Sequence, residues 1–211
     1  MYMANNLVIS IGRQFGSGGR EIGKGVAEKL GIAFYDKEIL AQSAKDSGIV
    51  QEIFESMDEK RTPSLLYNLS MGAGYANPVF YAAMDDAGPT SDKLFRWQAA
   101  TIEKFAAAGP CVIIGRCADY ILRDHPGLVS IFIYSDMDKR CQRISRLYNL
   151  REDAANVLIR KTDKSRASYY NFSTDREWGN MGNYDLCLNS GTLGVEKSID
   201  LICDYIGRLR G

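Results

Sequence analysis

The sequence predicts an α/β fold with a doubly wound, five-stranded parallel sheet flanked by helices, and three observations carry that prediction. Short apolar, β-branched runs alternate along the chain with longer amphipathic segments. The first run, 7–11, ends in a glycine-rich turn that opens a helix. The last segment, 195–209, sets Val195, Ile199, Ile202, Ile206 and Leu209 on one helical face.

The elements follow in order. Leu7, Val8, Ile9 and Ile11 read as a strand buried on both faces, because parallel strands covered by helices on each side lose the polar alternation. After the turn, Ile22, Val26, Ala27 and Leu30 share one side of a helix that Gly31 ends. A short strand at 32–35 leads through Asp36, a helix N-cap by chemistry, into a helix at 37–46. Residues 61–92 change character, with Pro63, Gly72, Gly74, Pro78, Gly88 and Pro89 among Tyr67, Tyr75, Phe80 and Tyr81; they read as an insertion. The pattern then resumes as helix 92–108, strand 111–114, helix 118–124, strand 128–134, helices 137–148 and 152–170, strand 186–188 and the last helix.

With 211 residues, 45% of them hydrophobic and 25% charged, the chain reads as one domain, 1–211, with the insertion at 61–92 and a lid at 149–180. It opens without the pattern of a secretory signal and has no apolar run of ~20 residues, so a cytoplasmic protein off the membrane is expected. Five scattered cysteines and the single His125 form no CxxC or Cys/His constellation, so no protein-only metal site is expected. The 26 basic residues balance 26 acidic ones, which argues against a nucleic-acid polymer as partner. Between Lys139 and Arg166, however, nine basic residues face three acidic ones, Glu152, Asp153 and Asp163. A small, phosphate-bearing ligand fits such a block.

The loop Gly12-Arg13-Gln14-Phe15-Gly16-Ser17-Gly18-Gly19-Arg20-Glu21 stands where backbone N–H groups and the helix dipole favour phosphate. The phosphate-loop pattern GxxxxGK[ST] is matched formally by Gly18 through Lys24, but that register puts the lysine a turn inside the helix, where a solvated residue is the better reading. Placing the loop by Gly16-Ser17-Gly18 sets Gly19 where the lysine belongs and Glu21 near the Ser/Thr position. The missing charge then falls to Arg20 or to Arg13. Gly16 to Glu21 also begins like a dinucleotide fingerprint, without its third glycine, so a Rossmann-type NAD enzyme stays open.

The run 9–22, with Phe34-Tyr35-Asp36, Val112-Ile113-Ile114-Gly115-Arg116 and the Arg/Lys/Asp-rich lid, resembles the cytidylate kinase-like family, relatives of the P-loop nucleoside monophosphate kinases. The resemblance implies a three-layer P-loop NTPase fold with a helical lid and an acceptor-binding insertion, and ATP with Mg²⁺ as cofactors. It implies that Arg13, Gly16, Ser17, Gly18, Gly19, Arg20 and Glu21 bind the donor, and that Arg20, Arg116, Lys161 and Arg166 act on the transferring phosphate. Asp36, Arg116 and Asp163 would bind the acceptor, with Asp36 still readable as an N-cap and Asp163 as a partner of Arg166. Phosphoryl transfer to a small acceptor such as CMP is the function implied; a nucleotide-binding regulator with a degenerate loop is the alternative.

Overall fold

The computed structural model describes residues 6–47 and 91–210. The expected insertion, save residues 91 and 92, and the aromatics Tyr67, Tyr75, Phe80 and Tyr81 lie outside them. In chain order the elements are β1 (Val8–Arg13), α1 (Gly19–Leu30), β2 (Ala33–Tyr35), α2 (Glu38–Ser47), α3 (Ser91–Ala108), β3 (Cys111–Ile114) and α4 (Ala118–Ile121). They continue as β4 (Leu128–Tyr134), α5 (Met137–Tyr148), α6 (Glu152–Thr174), β5 (Leu186–Asn189), α7 (Ser190–Leu193) and α8 (Val195–Arg210).

The five strands form one all-parallel sheet in the order β2-β3-β1-β4-β5. This bears out the predicted fold class and overturns the Rossmann alternative, whose order sets β2 beside β1, where β3 stands here. The chain divides into two compact units, the smaller within Lys37–Thr101 and the larger holding the rest. Inside the smaller unit, Ser43 Oγ donates to Thr101 Oγ1 at 2.8 Å, tying α2 to the first part of α3.

The larger unit carries the sheet and its core. Ile9, Ile11, Val112, Ile114, Ile131, Ile133 and Leu188 point to one face and pack on Ile22, Val26 and Ala27 of α1 and Ile199, Ile202 and Ile206 of α8. The helical periodicity read from the sequence is therefore the burial pattern, except at Leu209, which the last turn of α8 leaves 48% exposed. Helices α1 and α8 touch at Gly25, where an added Cβ would come within 2.3 Å of Ile199 Cδ1. At the end of α1, Gly31 takes φ +65° and its N–H reaches the carbonyls of Ala27 and Glu28. Because β1 is the central strand, the loop after it opens at the carboxyl edge of the sheet, where folds of this class bind ligands.

Candidate functional site

The glycine loop is built by two left-handed residues. Gly16 has φ +83° and Gly18 φ +80°, conformations that side chains other than glycine adopt at a cost, and α1 starts directly after Gly18. Between them Ser17 is buried, its Oγ donating to the Gln14 carbonyl at 2.9 Å and accepting from Gly19 N–H at 3.4 Å. From the end of β5, Ser190 Oγ bridges to the carbonyls of Ser17 (2.6 Å) and Tyr134 (3.1 Å). Among the described residues, the N–H groups of Gly16, Gly18, Arg20 and Glu21 donate to no other atom of the chain. Those four donors at a helix start make an anion cradle.

Helices α5 and α6 fasten the segment that leads into the loop. Asp163 Oδ1 accepts from Phe15 N–H at 2.7 Å and its Oδ2 from Arg140 Nη1 at 2.5 Å, while the same Arg140 nitrogen lies 3.2 Å from the Phe15 carbonyl. Arg166 Nη1 donates to the Arg13 carbonyl at 2.8 Å and its guanidinium stands 5.5 Å from the centre of the Phe15 ring. Asp163 and Arg166, neighbours by helical spacing, thus both grip the loop backbone. Arg143 pairs with Glu21 and lies along Gly18, where an added Cβ would be 3.4 Å from its guanidinium carbon. A cavity of about 230 Å³ opens between Gly16, Ser17, Lys139, Arg143, Arg146 and Ser190.

The other expected residues fall in three places. Arg20 Nε pairs with Asp36 Oδ2 at 2.5 Å, and its guanidinium stands 5.9 Å from the Phe34 ring, toward the end of β2. Arg116 is buried at the end of β3 within three successive left-handed residues, Gly115, Arg116 and Cys117, at φ +65°, +61° and +56°. Two of these are not glycine, a strain that folds concentrate at functional sites. Lys161 is exposed, on the side of α6 away from Asp163 and Arg166. Lys24, an exposed helix residue, pairs with Glu28 at 3.3 Å. Arg13 runs over Gly19 to Gly115: a Cβ on Gly19 would meet Arg13 Cβ at 2.6 Å, and one on Gly115 would meet Arg13 Nη1 at 1.8 Å. The spacing of GxxxxGK[ST] also corrects the sequence expectation by one place, since the hydroxyl position directly after Gly19 is Arg20, not Glu21.

Sequence reasoning did not single out Arg140, Arg143, Ser190 or a buried cluster at Asp119. The two arginines were visible only as members of the basic block. Tyr170 OH donates to Asp119 Oδ2 at 2.6 Å, and Tyr184 presses its ring on the backbone at Gly12, 3.3 Å from where a Cβ would be. Burial pushes the Asp119 carboxyl up, against the hydrogen bond from Tyr170 and the charge of Arg176. Burial, then the Asp119 charge, pushes both phenols up, and burial lifts the Cys111 thiol to about 11. The folded state therefore holds the Asp119 proton more tightly than the unfolded chain, whose carboxyl has the ordinary value of 3.8. As pH rises from that value through the raised folded one, this group's contribution to stability is lost. Urea midpoints taken from about pH 4 to 7 are expected to show a shallower decline for Asp119→Asn than for the parent; equal slopes would contradict the assignment.

A parallel sheet of this order, with a glycine loop between its central strand and α1 and arginines closing on that loop, defines a P-loop kinase fold. Within that class the chain belongs to the cytidylate kinase-like family, whose model matches residues 8–192. Among solved structures it is similar to an uncharacterized protein from Eubacterium ventriosum ATCC 27560, with 30% identity, a TM-score of 0.70, and 95% of this chain and 98% of that one covered. It shares its fold with the shikimate kinase of Bacteroides thetaiotaomicron, at 13% identity and a TM-score of 0.54 over 95% of this chain and 98% of that one. The gluconokinase of Sinorhizobium meliloti 1021 is similar at 16% identity and a TM-score of 0.54, over 97% and 93%. Comparison with curated proteins gave no match. Among the described residues, no group of three or more His, Cys, Asp or Glu could hold a metal ion, and no helix is long and apolar enough to cross a membrane.

Proposed function

We propose that the chain transfers a phosphoryl group from ATP to a small acceptor, a nucleoside monophosphate such as CMP being the first candidate from the family resemblance. The observation that carries this reading is the cradle itself, four N–H donors in the glycine loop and the start of α1 with no acceptor among the described residues. Such preorganised donors, aimed where phosphate charge gathers, are the main protein contribution to phosphoryl transfer. The cavity beside Gly16 and Ser17, with Lys139, Arg143 and Arg146 on its wall, offers room for the rest of the donor nucleotide. In the transfer an acceptor oxygen bonds to the terminal phosphorus, the bond from that phosphorus to the bridging oxygen breaks, ADP leaves, and a hydroxyl acceptor gives up its proton. Arg116 and Asp36, at the ends of β3 and β2, are the acceptor-side groups in this reading. The five unpaired cysteines fit a reducing compartment such as the cytoplasm.

The donor set does not fit direct magnesium binding by the loop. Arg20 holds the hydroxyl position and pairs with Asp36, so no step is assigned to a metal ion, and one accompanying the donor would be held by its phosphates. The lack of both lysine and hydroxyl favours a second reading, a nucleotide binder without turnover. A coupled ADP-release screen with Mg-ATP against CMP, dCMP, UMP, shikimate and gluconate separates the two. Acceptor-dependent release is expected. Thermal stabilisation by ATP without release would favour the second reading, and no response to any nucleotide would sink both.

A further inference from the structure

We infer that Arg13 is the cation that grips the donor phosphates, in the place of the lysine this loop lacks, and that Gly19 is a glycine because Arg13 lies across it. The inference rests on the phosphate-binding reading above and names the residue that would make it work.

With Gly18 as the second glycine of GxxxxGK[ST], the first glycine falls on position 13 and the lysine on position 19. Both positions are changed, and in opposite senses: the glycine has become Arg13 and the lysine has become Gly19. A Cβ on Gly19 would sit 2.6 Å from Arg13 Cβ, closer than real carbon atoms approach, and 3.1 Å from its Cγ. The loop has room for one long cationic chain here, and it comes from the strand instead of the helix. The pair 13/19 is a reciprocal exchange.

The Arg13 side chain runs from β1 across Gly19 to the end of β3. Its Nη1 lies 1.8 Å from where a Cβ on Gly115 would stand, so the guanidinium reaches the carboxyl end of β3, at the ligand-binding edge of the sheet. Its base is fixed, because Arg13 closes the ladder opposite Ile133 and its carbonyl receives Arg166. A guanidinium offers a planar fork for two phosphate oxygens where an ammonium offers a point charge.

Four full-length variants, Arg13→Ala, Arg13→Lys, Gly19→Lys and the double change Arg13→Gly with Gly19→Lys, test the exchange by calorimetric titration with Mg-ATP and with adenosine. Urea denaturation alongside establishes that each variant folds. Arg13→Ala is expected to weaken Mg-ATP about 100-fold or more while adenosine binds as before, since only a phosphate contact is lost. Arg13→Lys should keep affinity within about tenfold of the parent. Gly19→Lys alone should lose binding through collision with Arg13, and the double change, which restores the ordinary order, should recover it. An Arg13→Ala chain that binds Mg-ATP like the parent, one that loses ATP and adenosine alike, or a folded double variant that binds no better than Arg13→Ala would each overturn the inference while leaving phosphate binding standing. A parent that binds no nucleotide would remove the proposed function and the inference together.

Discussion

Asp163→Ala is expected to lower the stability of the fold by about 3–5 kcal/mol, the cost of removing one partner from a buried ion pair. The carboxylate is 16% exposed and Arg140 is 7% exposed, so neither is well solvated, and the substitution strands the guanidinium together with the Phe15 N–H. Equilibrium urea denaturation reads the change directly. Pairing Asp163→Leu with Arg140→Met should cost less than Asp163→Ala alone, because removing both charges leaves no buried charge unpaired, only the neutral N–H and carbonyl of Phe15 without their partners. If the single variant lost less than the double one, Asp163 would not be the fastener of the loop. Nucleotide affinity should fall with Asp163→Ala as well, since the two ends of its carboxylate hold the segment that positions the cradle.

Gly16→Val carries the second large effect, and its cause is steric. A branched side chain at φ +83° costs about 1–3 kcal/mol in backbone strain. The added Cβ would also stand 3.0 Å from Ile144 Cγ1, 3.1 Å from Arg140 Cβ and 3.2 Å from the Arg140 carbonyl. The carbonyl belongs to the backbone of α5 and cannot swing aside, so overpacking adds about 1–3 kcal/mol. A lowered melting temperature with loss of Mg-ATP binding is the expected pair of readings. A chain that melts like the parent and still binds nucleotide would show that the loop does not need its tight seat against α5.

The strands and helices of this fold were legible because buried parallel strands and amphipathic helices write their periods into the residues. Strands 111–114 and 128–134 and helix 137–148 coincide with β3, β4 and α5. Ile199, Ile202 and Ile206, which share a face by spacing, lie in the core. Spacing failed where one element meets another. Asp163 and Arg166 are three apart on a helix, which suggests a pair, yet each also holds the backbone of a loop about 150 residues earlier. The basic block between Lys139 and Arg166 read as a site for an anionic ligand, and Arg140 and Arg166 also hold the protein's own loop. Charge composition cannot tell a cation aimed at a ligand from one aimed at a carbonyl. The glycine at position 19 looked like a deficit in one dimension, and only the course of the Arg13 side chain shows that the space is filled.

The central position of β1 has a cost during synthesis. Val8 pairs with Cys111 and with Leu128, so β1 has no neighbour in the sheet until about a hundred further residues have been made. At roughly 5–20 residues per second, the apolar run at Leu7–Ile11 waits on the order of five to twenty seconds before β3 can cover its first edge. Through that interval it is a short, uncharged, β-prone segment of the kind that associates with other chains. Slow folding and a dependence of yield on chaperones at high expression are the consequences of placing the ligand loop on the strand that is made first and enclosed late.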